Sequence, residues 1–302
     1  SKEDKTMMTY NESLTKIFNT LIAKIGYGAK HMVLDLEDHN DYDLNVIQFL
    51  KQVRIPEPGQ KEPIPFKFNI ANYFEAKLFA ENVSIWKSLT RQNYSTMNHL
   101  CLLIYDLIYN KRSGIIITKT KDDYKLLISK MQYIIKHLPE EITLYTFVNK
   151  DNIQNYFEYI KLQSDQEAWE LVDVAKEQRR NIMIDDAEFI PYINNIVTRI
   201  MIEEYSYSCP TVKLLANSTI NDDADKNLVN TLNQLYDVKR DNKFILDTLF
   251  ENKCFGYNLA KIHYNYRDLG LSEDYAEKMK KLLNNDEDIF RREVLLERKE
   301  SE

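Results

Sequence analysis

The stretch IWKSLTRQNYST, residues 85–96, closes an apolar, strand-like run (Val83–Leu89) and opens a helical one (Met97–Tyr109), which the β-branched strand Gly114–Thr118 follows. Strand, tight turn and helix in that order make the frame of a phosphate-binding loop. Such a loop works because glycines let backbone N–H groups close around phosphate oxygens, a lysine neutralises their charge and a Ser or Thr hydroxyl holds magnesium. Ser95 and Thr96 are present, but no glycine lies between Gly59 and Gly114, and no lysine between Lys87 and Lys111. The frame and the chemistry disagree.

Outward from this stretch the elements alternate. Residues 70–80 read as a helix, and Asp122–His137 carries Leu126, Leu127, Met131, Ile134 and Ile135 on one helical face. Short strands are expected around Thr143–Val148 and Phe157–Leu162, a helix over Asp165–Val174, a strand at Asn181–Ile184, a helix over Ile193–Tyr205 and a buried strand at Val212–Ala216. Asn221–Lys243 is polar and reads as helical or flexible. Such alternation predicts an α/β fold, a mostly parallel sheet with helices on both faces. Two amphipathic segments, Asn11–Lys24 and Val46–Val53, form a helical preface. The prolines from Pro56 to Pro65 lack donors and bias their predecessors away from helix, so that segment reads as an irregular connector. The expected division is a preface and connector over 1–62, then a core with a C-terminal extension over 63–302.

Composition bounds the function. With 44% apolar and 29% charged residues the 302-residue chain belongs among soluble globular proteins, and its net charge of −7 implies no extensive basic surface. Cys101, Cys209 and Cys254 are odd in number and widely spaced, as in a reducing, intracellular compartment, and they sit in apolar or aromatic runs that favour core roles. The longest apolar run, Leu100–Tyr109, contains Asp106 and is too short to span a bilayer, so no membrane association is expected. The histidines at 31, 39, 99, 137 and 263 lack the spacing of metal ligands.

Two further segments could carry chemistry. The run Asn181-Ile-Met-Ile-Asp185-Asp186 is a short apolar strand ending in an acidic pair, the shape in which one acid orients magnesium and the next orients an attacking water. The same pattern also serves as a solvated strand end or a helix cap. Leu214-Leu-Ala-Asn217-Ser218-Thr219-Ile220-Asn221 places small polar residues at the carboxyl end of a buried strand, where open parallel sheets bind ligands. A turn in which Asn and Ser side chains bond their own backbone is the simpler reading of that segment alone.

The order and spacing of these pieces resemble the ATPase domain of the large terminase subunit of tailed phages, the motor that packs DNA into capsids, particularly its T4-like branch. The resemblance runs collinearly from about residue 45 to 300. It takes in Phe49–Ile55 with Gly59 and Pro65-Phe66, then Thr90-Arg91-Gln92 with Ser95-Thr96, which is similar to a Ser-Arg-Gln-x-Gly-Lys-Ser/Thr loop. Asn110–Thr118 with Leu138-Pro139 follows, and Ile184–Pro191 resembles a Walker B segment, Ile-Asp-Glu-x-Ala-Phe-Ile-Pro. Asn217–Asn221 resembles the coupling segment Thr-Thr-Thr-Pro-Asn, and Asn285–Glu293 the stretch before the family's nuclease domain.

By this resemblance ATP and Mg2+ are the cofactors. Arg91, Gln92, Ser95 and Thr96 would contact phosphates, Thr96 and Asp185 would hold the metal, and Asp186 would orient water while Arg91 stabilises the transition state. Asn72 would stand at the base-contact position, and Asn217, Ser218 and Thr219 would relay the γ-phosphate state. Double-stranded DNA and a phage portal or capsid are the implied partners, with self-association into a ring, in the host cytoplasm. The chain stops before a nuclease domain, so no nuclease activity is expected. The departures fall within the site: Ala71-Asn72 stands for Tyr-Gln, Tyr94 for the loop Gly, Ser95 for its Lys, and Asp186 for the catalytic Glu. A carboxylate withdrawn by one methylene misplaces the water it orients, and about 1 Å can cost about a hundredfold in rate. Hydrolysis is expected to be reduced or lost, and the alternative is a non-hydrolysing pseudo-ATPase kept as a structural or regulatory interaction subunit.

Overall fold

The computed structural model describes residues 45–67, 69–80, 82–144, 152–202, 212–237 and 259–300. Helix α1 (Asn45–Gln52) leads into two short antiparallel strands, β1 (Arg54–Ile55) and β2 (Ile64–Pro65), and then helix α2 (Ile70–Ala80). Strand β3 (Ser84–Leu89) feeds helix α3 (Ser95–Asn110), followed by β4 (Gly114–Ile117), α4 (Lys121–Lys136), β5 (Phe157–Tyr159), α5 (Asp165–Gln178) and β6 (Asn181–Ile184). The chain continues through α6 (Asn194–Ile202), β7 (Leu214–Asn217), α7 (Lys226–Gln234), β8 (Tyr236–Asp237), β9 (Leu259–Tyr264) and α8 (Glu273–Leu282).

Seven strands form one sheet in the order β5-β4-β6-β7-β3-β9-β8, and every pairing in it among the described residues is parallel. Successive side chains of a strand point to opposite faces, so a doubly covered sheet divides its residues by parity. The core does this. Ile85, Leu89, Ile116, Met183, Leu215 and Ile262 pack into one buried cluster with α1, α2, α3 and α4. Trp86, Ile115, Ile117, Ile182, Ile184, Leu214 and Ala216 pack into a second with α5, α6 and α7. Helices therefore cover both faces, and the expected P-loop NTPase-like α/β architecture is the one observed.

Local signals explain the element ends near the site. Thr120 caps α4 by accepting the Asp123 N–H, and Ser164 caps α5 by accepting that of Glu167. The proline-rich connector is more ordered than its composition predicts, because Pro65 sits at the margin of a two-residue pairing where its missing donor costs nothing. Residue 143 ends a one-turn helix, Glu140–Thr143, in place of the start of a strand, with Glu140 and Glu141 in a first turn that favours negative charge. Residues 145–148 lie outside the described part, as does the expected helix Asn11–Lys24. Helix α1 packs onto the main core through Val46, Ile47, Phe49 and Leu50, with the Phe49 ring 5.5 Å from that of Tyr105. No described helix is long and apolar enough to cross a membrane.

Sheet order places the site. From β3 the chain crosses β7 and β6 to reach β4, so a crevice opens at the carboxyl end of β3, where such sheets bind ligands. Register aligns the ends of β6 and β7 beside β3: Ile184 pairs with Ala216, and Asn217 with Lys87, two residues before β3 ends. Asp185 and Asn217 thus lie side by side, facing the turn that leaves β3.

Candidate functional site

The turn Thr90–Tyr94 joins β3 to α3 without a glycine, yet it takes glycine-like backbone angles. Gln92 has φ +63° and Tyr94 has φ +60° with ψ +26°, both in the left-handed region that L residues avoid. Asn93 is buried beneath the turn and stabilises it by donating to the carbonyls of Thr90 and Arg91, each at 2.9 Å. The N–H groups of Gln92, Asn93, Ser95 and Thr96 have no hydrogen-bond acceptor among the described residues. They cluster at the positive end of a 16-residue helix.

Next to this turn lies a closed polar circuit. Thr96 Oγ1 donates to Asp185 Oδ1 at 2.9 Å, and Asn217 Nδ2 donates to Thr96 Oγ1 at 3.0 Å. Asn217 Oδ1 accepts the Asp186 N–H at 3.1 Å. Both ends of the Asn217 amide are thereby assigned, since one must donate and the other accept. Residues from α3, β6 and β7, far apart in sequence, meet within one hydrogen-bonded group.

Asp186 itself sits at φ +51° and faces the cleft. Partial burial, reinforced by the charges of Asp185 and Glu188, pushes its carboxyl up to about 6. Glu188 is raised as well, chiefly by burial, and is held by Thr219 Oγ1 at 2.9 Å while its carbonyl accepts from Asn221 Nδ2 at 2.7 Å. The acidic strand end and the polar strand end are thus tied to each other.

Over the turn opens a cleft of about 1080 Å³. Arg91, Gln92, Ser95, Thr96, Asp186, Asn217, Ser218 and Thr219 all line it, so the structure brings together nearly all of the residues singled out from sequence. Asp185 lies just behind, through Thr96. Asn72 is elsewhere: it is fully buried, its side chain 3.4 Å from Lys87 Nζ, and it does not border the cleft. Ala71-Asn72 faces inward because helix α2 is apolar on nearly all sides, so no ring or amide of this turn reaches outward.

Several residues of the cleft carry no motif. Lys67, Lys130 and Lys278 add cations to its wall, and Tyr94, Tyr133 and Tyr275 add rings. Tyr275 was equally hidden in sequence, and Glu293 was read only as the end of the segment Asn285–Glu293. Tyr275 Oη donates to the Arg91 carbonyl at 2.6 Å, and Glu293 Oε2 accepts from Arg91 Nη1 at 2.6 Å while its own carbonyl takes the Arg91 N–H. Thr90 Oγ1 donates to the Val294 carbonyl at 2.8 Å. The resemblance of Asn285–Glu293 says nothing about what its charges touch.

The fold and this circuit define a parallel α/β scaffold with a P-loop-like turn facing an acidic strand end. No protein-family model matches the chain, and no curated protein matches it. Among solved structures it is similar to the large terminase of a thermophilic bacteriophage, at 14% identity and a TM-score of 0.38, over 75% of this chain and 52% of that one. The same terminase in complex with ADP gives 13% identity and a TM-score of 0.41, over 76% and 53%. The chain spans about half the length of the structures it matches.

Proposed function

We propose that this chain is a terminase-like module of a viral DNA-packaging motor, with a nucleotide site kept in outline and slow or absent in hydrolysis. The observation that carries the reading is the 2.9 Å contact of Thr96 Oγ1 with Asp185 Oδ1. A hydroxyl from the first turn of the helix, beside a carboxylate from an acidic strand end, is a hard oxygen pair suited to Mg2+. Magnesium there would supply charge neutralisation for the phosphates. The N–H groups of Gln92, Asn93, Ser95 and Thr96 would receive phosphate oxygens, and Lys67, Lys130 and Lys278 would offset part of the charge that the missing loop lysine leaves. Tyr94, Tyr133 and Tyr275 offer the stacking surface for a base that Asn72 does not. Asp186, with its carboxyl near 6, would hold a water and accept its proton close to neutral pH. Asn217, Ser218 and Thr219 would carry the phosphate state to β7 and beyond. DNA, a portal or capsid and neighbouring copies in a ring are the partners this reading entails.

A non-hydrolysing structural or regulatory subunit is the second reading, and one observation favours it. Arg91, the sole cation of the turn, is engaged by Glu293 through both side chain and backbone. Calorimetry with ADP and Mg2+ tests the nucleotide site, with saturable binding expected and weakened at least tenfold by Thr96→Ala. Turnover then separates the readings: ATP hydrolysis abolished by Asp185→Ala supports the motor, while background hydrolysis with intact binding supports the pseudo-ATPase. Absence of binding would remove the motor and leave the structural or regulatory subunit.

A further inference from the structure

Directly under the turn lies a cluster of buried ionisable groups that the nucleotide reading does not use. Lys87 on β3, Glu75 on α2 and His99 on α3 are all fully buried. Glu75 Oε2 is 2.5 Å from Lys87 Nζ, and Glu75 Oε1 is 2.7 Å from His99 Nε2. The Lys87 ammonium also donates to the Ser95 carbonyl at 3.0 Å and to Asn72 Oδ1 at 3.4 Å. The ammonium is thus enclosed by the Glu75 carboxylate and by two acceptors, the Ser95 carbonyl and Asn72 Oδ1.

We infer that Lys87 is a positioning residue that holds the glycine-free turn in its phosphate-loop shape, acting through the carbonyl of Ser95. Three observations converge on this. The turn needs an external hold, because Gln92 and Tyr94 occupy left-handed angles without being glycine. Lys87 grips the first residue of α3, immediately after the second strained position, and the residue next along the helix is Thr96 of the polar circuit. Its backbone grips the opposite margin, since the Lys87 carbonyl accepts the Ser218 N–H at 2.9 Å. One residue therefore links both walls of the site from behind. Buried Lys–Glu pairs are often replaceable by apolar residues without loss of stability, so stability alone does not account for this one. The charge that a phosphate loop normally carries forward stands here behind the turn, paired with Glu75.

The test is a neutral replacement, Glu75→Gln with Lys87→Met, which removes the tie without stranding a buried charge; Glu75→Gln with Lys87→Gln is the second variant. The first readout, hydrogen exchange, needs no nucleotide. The Asn98 amide, bonded to the Tyr94 carbonyl, is expected to exchange at least tenfold faster, with Leu102–Ile108 in the same helix unchanged. Affinity for ADP with Mg2+ is the second readout, expected to fall at least tenfold, and only this arm rests on the nucleotide reading. Unchanged exchange at Asn98 in a folded variant would overturn the assignment. So would uniform acceleration along α3, or failure of both variants to fold, since either would mean that the cluster holds the whole core. Faster exchange at Asn98 in the variants, alongside a wild-type protein that binds no nucleotide, would sustain the positioning role and defeat the nucleotide reading.

Discussion

At Gln92 the backbone has φ +63° although the side chain is exposed and no glycine is present. A left-handed angle costs an L residue roughly 1–2 kcal/mol, and a β-branched one more, because its Cβ crowds the following carbonyl. Gln92→Gly should accordingly leave stability within about 1 kcal/mol, the relieved strain offsetting glycine's extra entropy in the unfolded chain, whereas Gln92→Val should destabilise by about 2 kcal/mol. Urea melts of the two variants check this. Asp186 gives a pH-dependent prediction. Its folded carboxyl is raised to about 6 from an ordinary 3.8, so between those values the native state holds a proton that the unfolded chain has released. Stability contributed by the protonated acid is full below about pH 4 and is lost as pH rises through 6. Removing the charge with Asp186→Asn should then stabilise the protein at pH 7 by about 1 kcal/mol after solvent screening, with the gain vanishing below pH 4. Melts at pH 4 and pH 7 that show equal gains would contradict the sign.

Among the described elements, the segment after α8 joins separate parts of the site. It meets the turn after β3 through Glu293 and Val294, and it meets the loop after β7 through Arg291, which pairs with Asp222 Oδ2 at 2.5 Å, and through the Arg292 carbonyl, which accepts the Ile220 N–H. Arginine pairing holds the Asp222 carboxyl down to about 2. The Arg91–Glu293 pair is different in kind. With the Arg91 side chain 48% exposed, the pair contributes little to stability, about 0–1 kcal/mol, while a polyphosphate offers Arg91 a stronger partner. Glu293→Gln is therefore expected to leave the melting temperature nearly unchanged and to raise affinity for inorganic pyrophosphate severalfold, measured by calorimetry at low and high salt. Unaltered affinity would place Arg91 outside the anion site.

For the molecule as a whole, what the sequence disclosed followed periodicity. The central strands are buried on both faces and short, so Ile85, Ile116, Met183 and Leu215 announced themselves as continuous apolar runs, and the intervening helices as one-sided patterns. Asp185 and Asn217 were legible because they end such runs, and Thr96 because it opens the helix that follows one. Strand β9 escaped, since Lys261 and His263 interrupt its apolar residues, and α8 escaped because charged residues dominate it. Asn72 was placed by linear correspondence, which cannot show that a side chain turns inward to a buried lysine. The Glu75–Lys87–His99 cluster was invisible for the same reason: its members lie on three elements, and only packing brings them together. The turn after β3 contains no glycine, yet Gln92 and Tyr94 take the left-handed angles that glycine favours.

Whether the turn after β3 receives a nucleotide is decided by a crystal structure of the protein with a non-hydrolysable ATP analogue and Mg2+. Phosphate oxygens are expected against the amides of Gln92, Asn93, Ser95 and Thr96, with a metal about 2.1 Å from Thr96 Oγ1, facing Asp185. Density for the analogue elsewhere, or none at saturating concentration, would contradict nucleotide binding at this turn.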